Sequence, residues 1–205
     1  MEFEVLISFL IASIVLTLSP GPDIIYVLMQ SISNGKKYGI MTALGLVTGI
    51  IIHTTLVAFG VSALINKSPN LFFAIKLFGS IYMLYLAYKV LRSSSEINLN
   101  EDKVPKKTFW GLFKQGFLMN VLNPKVTLFF LSFLSAFLFS DDLSEVTQFY
   151  VLGILFMIQA FVIFTTVSYL SGTLSNFFNK SNMAGLILKH VQVVVFVCIA
   201  IFIMI

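Results

Sequence analysis

Six apolar runs account for most of this 205-residue chain. A run of about 20 apolar residues crosses the hydrocarbon core of a bilayer as one helix. The runs fall at roughly 5–33, 38–65, 71–91, 110–139, 147–172 and 186–205. Composition agrees, with 58% hydrophobic residues, 11% charged residues and a mean hydropathy of +0.97. Soluble domains carry about 25% charged residues, so too little polar surface remains here to coat a water-soluble globule. The sequence predicts an all-α integral membrane protein: six transmembrane helices in one transmembrane domain, 1–205.

Several function classes are set aside early. No Gly-rich Lys-Ser/Thr phosphate loop occurs, so the chain has no ATPase motif. One cysteine, Cys198, permits no intramolecular disulfide and no paired-thiol chemistry. The start, "MEFEVLISFL", is acidic and lacks the basic region of a signal peptide, so the first span is expected to be retained. No cofactor motif is visible. Two histidines, one cysteine and one carboxylate inside a span do not make a transition-metal site. The net charge of +4 does not point to nucleic acid, because the lysines lie between apolar spans and are read by the bilayer. The oligomeric state is left open, and a homo-oligomer is compatible.

Basic residues concentrate in cytoplasmic loops of membrane proteins. Lys36 and Lys37 lie between spans 1 and 2, and Lys180 and Lys189 between spans 5 and 6. Lys89, Arg92, Lys103, Lys106, Lys107 and Lys114 flank the longest polar stretch, Ser93 to Thr108. The opposite side has Lys67 and a snorkelling Lys76, with Asp141, Asp142 and Glu145 between spans 4 and 5. The expected orientation is a multi-pass protein of the cell (inner) membrane, with the linker 93–108 cytoplasmic and both termini outside.

The linker divides two triplets of spans, a first repeat of about 1–92 and a second of about 109–205. In each triplet the first span is broken, by "SPGPD" (Ser19 to Asp23) and by "LNPKV" (Leu122 to Val126). Three spans per half is an odd number, so the halves are expected as two inverted three-helix repeats. Proline-interrupted spans at corresponding positions of inverted repeats point to a transporter binding site. Asn123-Pro124 reads as a helix start, with Asn as N-cap and Pro at the first helical position. Pro22 and Asp23 read as a second start. Each break would present a half-helix N-terminus, with its positive dipole end, inside the membrane.

The two breaks carry opposite charges. Asp23 and Lys125 are the ionisable residues, histidines aside, that no membrane surface accounts for. Such residues in spans face a cavity or pair with one another. Lys125 would meet a carboxylate together with the N–H groups after Asn123, and Asp23 would meet an ammonium group. The pair would then complement a zwitterion. The alternative is that Asp23 and Lys125 pair directly and staple the halves.

In span 2, Gly45, Gly49 and His53 recur every four residues and share a helix face. The glycines suit close helix packing. His53 and Asp23, titratable groups inside spans, are proton-coupling candidates, and a hydrogen-bonded structural histidine is the competing reading. Gln159 and Thr166 share a face of span 5 and are read as polar glue between helices. Tyr85, Tyr88 and Trp110 read as an interfacial belt, and His190 as interfacial. The 22 phenylalanines are expected to be lipid-facing bulk.

"SPGPD", then "GKKYGIMTALGLVTGIIIH", "LFGSIYMLYLAYKVLR" and "GFLMNVLNPKVTLFFLSFLSAF" together resemble the LysE/RhtB family of amino-acid exporters. The resemblance covers about Leu16 to Phe139; the last two spans match in hydropathy alone. It implies export of amino acids or close derivatives, driven by the proton gradient. It carries over Pro20, Gly21, Pro22, Asn123, Pro124 and Lys125, and aligns Asp23 with a position that is often polar. One departure is Ser135-Ala136-Phe137, where the family commonly has Pro-Gln-Phe.

The expected partners are therefore an amino-acid substrate, protons and the lipid bilayer. Neutral amino acids are favoured, because a dibasic substrate would want a second buried carboxylate. The competing reading is a metal or inorganic-ion exporter of related architecture. An enzyme or thiol-redox carrier lacks the necessary residues.

Overall fold

The computed structural model describes residues 2–19, 21–61, 68–93, 107–180 and 182–204. Among these the chain is helical, with no strand. The helices are α1 (Glu2–Leu18), α2 (Pro22–Asn34), α3 (Lys36–Leu56), α4 (Pro69–Arg92), α5 (Phe109–Val121), α6 (Pro124–Phe133), α7 (Glu145–Tyr169), α8 (Ser171–Lys180) and α9 (Asn182–Met204). A π-helical turn, Val57–Val61, extends α3, and a 3-10 turn, Leu134–Phe137, extends α6. Pro20, Lys67, Lys103, Lys106, most of the 93–108 linker and the expected end of span 2 lie outside the described residues.

Four helices, α3, α4, α7 and α9, are each long and apolar enough to cross a bilayer. The remaining two spans are bent pairs: α1 and α2 meet at 59°, and α5 meets α6 with its 3-10 extension at 51°. This is the expected six-helix membrane protein with both proline interruptions in place. Span 5 ends sooner than expected. The helix stops at Tyr169, and the polar stretch from Ser171 forms the separate helix α8.

Polar residues inside the spans are satisfied locally, as a bilayer requires. The Ser13 hydroxyl donates to Phe9 O, Thr17 to Ser13 O, Thr54 to Ile50 O and Ser168 to Phe164 O. On α2 an amide ladder runs along one face. Asn34 Nδ2 donates to Gln30 Oε1 at 3.0 Å, and Gln30 Nε2 to Tyr26 Oη at 3.1 Å.

Helix α3 is the centre of the packing and touches α2, α5, α6 and α7. Its contact with α5 is backbone to backbone. A Cβ on Gly45 would land on the Phe113 carbonyl, and one on Gly116 would land on the Thr42 carbonyl. Helices α4 and α9 pack together, with Ser80 Oγ donating to Ala200 O at 2.8 Å. Their outer faces keep Phe73, Phe78, Ile81, Ile187, Val194 and Ile201 exposed, a surface suited to lipid.

The phenylalanines are not simply lipid-facing bulk. Phe9, Phe129, Phe130, Phe133, Phe137, Phe149, Phe156, Phe164 and Phe196 are buried. Rings of α6, α7 and the 3-10 turn meet in tilted and edge-to-face pairs at 4.3 to 6.0 Å, as aromatic quadrupoles favour. A residue count carries no information about which face of a helix a ring occupies.

The charges separate by end. Tyr38 at the start of α3 stacks on Phe109 at the start of α5, with centroids 4.8 Å apart. Lys36 Nζ sits 4.4 Å from the ring of Tyr169, and Lys189 Nζ donates to Ser93 O at 2.7 Å. These contacts gather Lys36, Lys37, Arg92, Lys107 and Lys189 at one end of the bundle. At the other end Gln148 holds the acidic loop after α6. Its Oε1 accepts from Phe139 N and Ser140 N, and its Nε2 donates to Ser140 O and Leu143 O.

Candidate functional site

The two breaks lie at the same depth. Helices α2 and α5 each have 13 residues, and both are anchored at the basic end. At 1.5 Å per residue that puts each break about 20 Å from the basic end. Helices α2 and α6 begin at these two breaks, which a hydrogen bond from Asn123 to Asp23 joins.

The two helix starts differ. Asn123 caps α6 in the expected way: its Oδ1 accepts from Lys125 N at 3.0 Å, and its carbonyl accepts from Val126 N and Thr127 N at 3.1 Å each. Pro124 has no N–H, so the first turn of α6 has no spare donors. This corrects the expectation that N–H groups after Asn123 await a ligand. At α2 the N-cap is Gly21, and no side chain caps the first turn. Lys125 Nζ lies beside this start, 3.5 Å from where a Cβ on Gly21 would be, an ordinary contact distance.

Asp23 and Lys125 come to one cleft, and among the described residues they form no direct ion pair. Asn123 is bonded to both residues. Its Nδ2 donates to Asp23 Oδ2 at 2.8 Å while its Oδ1 holds the Lys125 backbone. Asp23 Oδ1 is buried with no hydrogen-bond partner. The Lys125 ammonium has only a long contact to Ser19 O, 3.5 Å, and the Phe196 ring at 5.1 Å. Such cation–π contacts stabilise a cation by about 0.5–2 kcal/mol. Both charges are thus half-satisfied. The narrow cleft is lined at its polar end by Ser19, Gly21, Pro22, Asp23, Asn120, Asn123 and Lys125. Its remaining lining is uncharged and mostly apolar: Leu16, Thr17, Ile24, Ile50, Val126, Phe156, Ala160 and Phe164.

The other residues singled out from sequence fall around the cleft. Pro20 lies outside the described residues. Pro22 and Pro124 open α2 and α6. His53 is buried and does not line the cleft; its Nε2 lies 3.1 Å from Asn120 O, and its Nδ1 has no partner. Gly45 and Gly49 pack against α5, Gly49 against the Asn120 side chain. Gln159 Nε2 donates to Thr17 Oγ1 at 2.9 Å and joins α7 to α1. Thr166 does not act as glue between helices. It is exposed, and its hydroxyl donates to Val162 O of its own helix.

Sequence reasoning missed Asn120, Ser19 and Phe196. Asn120, an amide in an apolar span one turn before the break, was a usable signal. Nothing in the local sequence marks Phe196, which reaches Lys125 only through the packing of α9.

A bundle of apolar helices with two broken spans meeting at a charged, partly apolar cleft is the architecture of a helical membrane transporter. The family model described as LysE type translocator matches residues 14–205, and the chain belongs to that family. The leucine efflux proteins of Salmonella choleraesuis (strain SC-B67) and Salmonella typhimurium (strain LT2) are each 34% identical to it over 134 residues. Each of those alignments covers 64% of this chain and 62% of the relative's length. The uncharacterized membrane protein YrhP of Bacillus subtilis (strain 168) is 31% identical over 141 residues, 65% of this chain and 67% of that protein. No solved structure matches.

Proposed function

We propose that this protein is a secondary exporter of neutral amino acids, driven by exchange with protons across the cell membrane. The observation that carries the reading is the pair of half-satisfied charges in one cleft: a buried Asp23 oxygen without a partner, and a Lys125 ammonium with one long contact. A zwitterion completes both. Its ammonium takes Asp23 Oδ1. Its carboxylate takes Lys125 Nζ beside Gly21, where the uncapped N-terminus of α2 adds its positive dipole end. Family membership and the leucine efflux relatives support amino acids as the substrate class. The rest of the cleft lining carries no charge, which favours a substrate side chain without one.

Proton coupling rests on Asp23 and His53. The Asn120 carbonyl accepts from Asn123 N at 2.9 Å and lies 3.1 Å from His53 Nε2, so the histidine is joined to the break that holds Asp23. The basic end is assigned to the cytoplasm and the acidic end to the outside. The ladder of Tyr26, Gln30 and Asn34 then supplies polar groups between the cleft and the cytoplasmic end.

The test is counterflow of neutral amino acids in proteoliposomes, with uphill export measured under an imposed pH gradient. Removing one partner of a buried charge pair costs about 3–5 kcal/mol, so Lys125→Ala should reduce substrate binding more than about a hundredfold. Asp23→Asn with Lys125→Met should insert and remain stable yet fail to transport. Normal transport by that double variant rejects the binding role. Uphill export that survives a protonophore rejects the proton coupling.

A further inference from the structure

One face of α9 reaches Lys125. Phe196 and Ala200 lie four residues apart, so they share that face, and both are buried, 2% and 1% exposed. The Ala200 carbonyl accepts from Ser80 Oγ at 2.8 Å, which ties this part of α9 to α4. One turn earlier, the Lys125 ammonium sits over the Phe196 ring, 5.1 Å from its centroid. That is within the reach of about 6 Å at which a ring face attracts a cation. The ring is buried by helix packing, whereas the ammonium ends a flexible four-carbon stem and carries three donors. Its hydrogen-bond contact is the long one to Ser19 O, 3.5 Å. The lysine is thus steadied by a residue of the last span, far in sequence from either break.

We propose that Phe196 is a positioning residue, whose ring holds the Lys125 ammonium beside the start of α2 and so sets the affinity for the substrate carboxylate. The inference rests on the export reading above and adds to it a residue that acts through Lys125. A ring suits this task. A carboxylate in its place would neutralise the lysine and compete with the substrate for it. The ring has no net charge, so the ammonium keeps its positive charge and has donors to spare for a carboxylate. An aliphatic side chain at 196 would lack the attraction of the ring quadrupole. The lysine would then sample more rotamers, and substrate binding would carry the entropy cost of ordering it. The contact orders Lys125 before substrate arrives, so weakening it should raise KM and leave the maximal counterflow rate in place.

The experiment grades the ring without changing its shape. Phe196 is replaced by phenylalanines bearing one, two and three ring fluorines, which weaken the negative face of the ring and nearly preserve its volume. Neutral amino acids are screened by counterflow in proteoliposomes of the full wild-type chain, and the fastest serves as the probe. KM should rise with each fluorine, reaching about 2- to 30-fold above the wild type, with the maximal rate unchanged. Phe196→Leu should raise KM at least as far; if it does not insert, the fluorinated series decides. The same fluorines at Phe149, a fully buried ring of α7 with no lysine contact among the described residues, should leave KM unchanged. A KM that ignores the fluorine count, falls with it, or moves equally at Phe149 overturns the role of Phe196 and leaves the export reading standing. A wild type that exchanges no neutral amino acid overturns the export reading, and the positioning role falls with it.

Discussion

Asn123 Nδ2 donates to Asp23 Oδ2 at 2.8 Å, so one side-chain amide joins the two helix breaks across 100 positions of sequence. The other end of the same amide caps α6 by accepting from Lys125 N. Asn123 thus serves both charged residues, one at its carboxylate and the other at its backbone N–H.

The two duties of Asn123 can be separated. Asn123→Ala loses the cap, which costs about 0.5–2 kcal/mol, and also frees Asp23. It should lower the thermal midpoint in detergent and abolish counterflow. Asn123→Ser keeps a capping oxygen but is too short to bridge to Asp23. It should unfold near the wild-type temperature and still transport poorly. Wild-type counterflow by the serine variant would show that the bridge is dispensable.

The contact between α3 and α5 predicts a graded response to added methyl groups. Gly45→Ala presses on the Phe113 carbonyl and backbone, which cannot rotate away. Gly49→Ala presses on the Asn120 side chain, with Oδ1 at 2.8 Å and Cβ at 2.9 Å. Overpacking costs about 1–3 kcal/mol, with Gly45 at the upper end and Gly49 below it. A methyl group added at Gly172 would meet nothing within 4 Å, and alanine there should stabilise α8 by up to about 1 kcal/mol. Thermal unfolding of the three variants checks the order; equal midpoints would contradict the close approach.

Gln159 and Thr166 share a helix face and should behave differently. Gln159→Leu removes the bond to Thr17 and should cost about 0.6 kcal/mol, up to about 1.7. Thr166→Val loses only a bond within its own helix, at an exposed site, and should leave the midpoint unchanged. A larger loss at Thr166 than at Gln159 would reverse the assignment.

Orientation is checked by labelling. With the exposed Cys198 replaced by serine, single cysteines are placed at the exposed positions Asp142 and Lys37. An impermeant thiol reagent outside the cell should label position 142 and spare position 37. The opposite pattern would invert the topology.

Features under local control were legible in the residues alone. The apolar runs specify the spans, because a helix alone satisfies its backbone in lipid. Pro22 and Asn123-Pro124 specify the interruptions, and Asn123 its own cap, because these effects act within one helical turn. The glycines of α3 marked a close contact by their spacing alone. Tertiary structure decided everything that depends on which faces meet. It bonded Asn123 to Asp23, set Phe196 near the lysine, turned nine phenylalanines inward and left Thr166 facing out. It also gave the uncapped start of α2 to Lys125 and engaged the N–H groups of α6 with Asn123. In a bilayer every span is apolar nearly all round, so hydropathy does not distinguish a lipid-facing side from a packed one. Only the shape of neighbouring helices, approaching within a few ångströms, makes that choice.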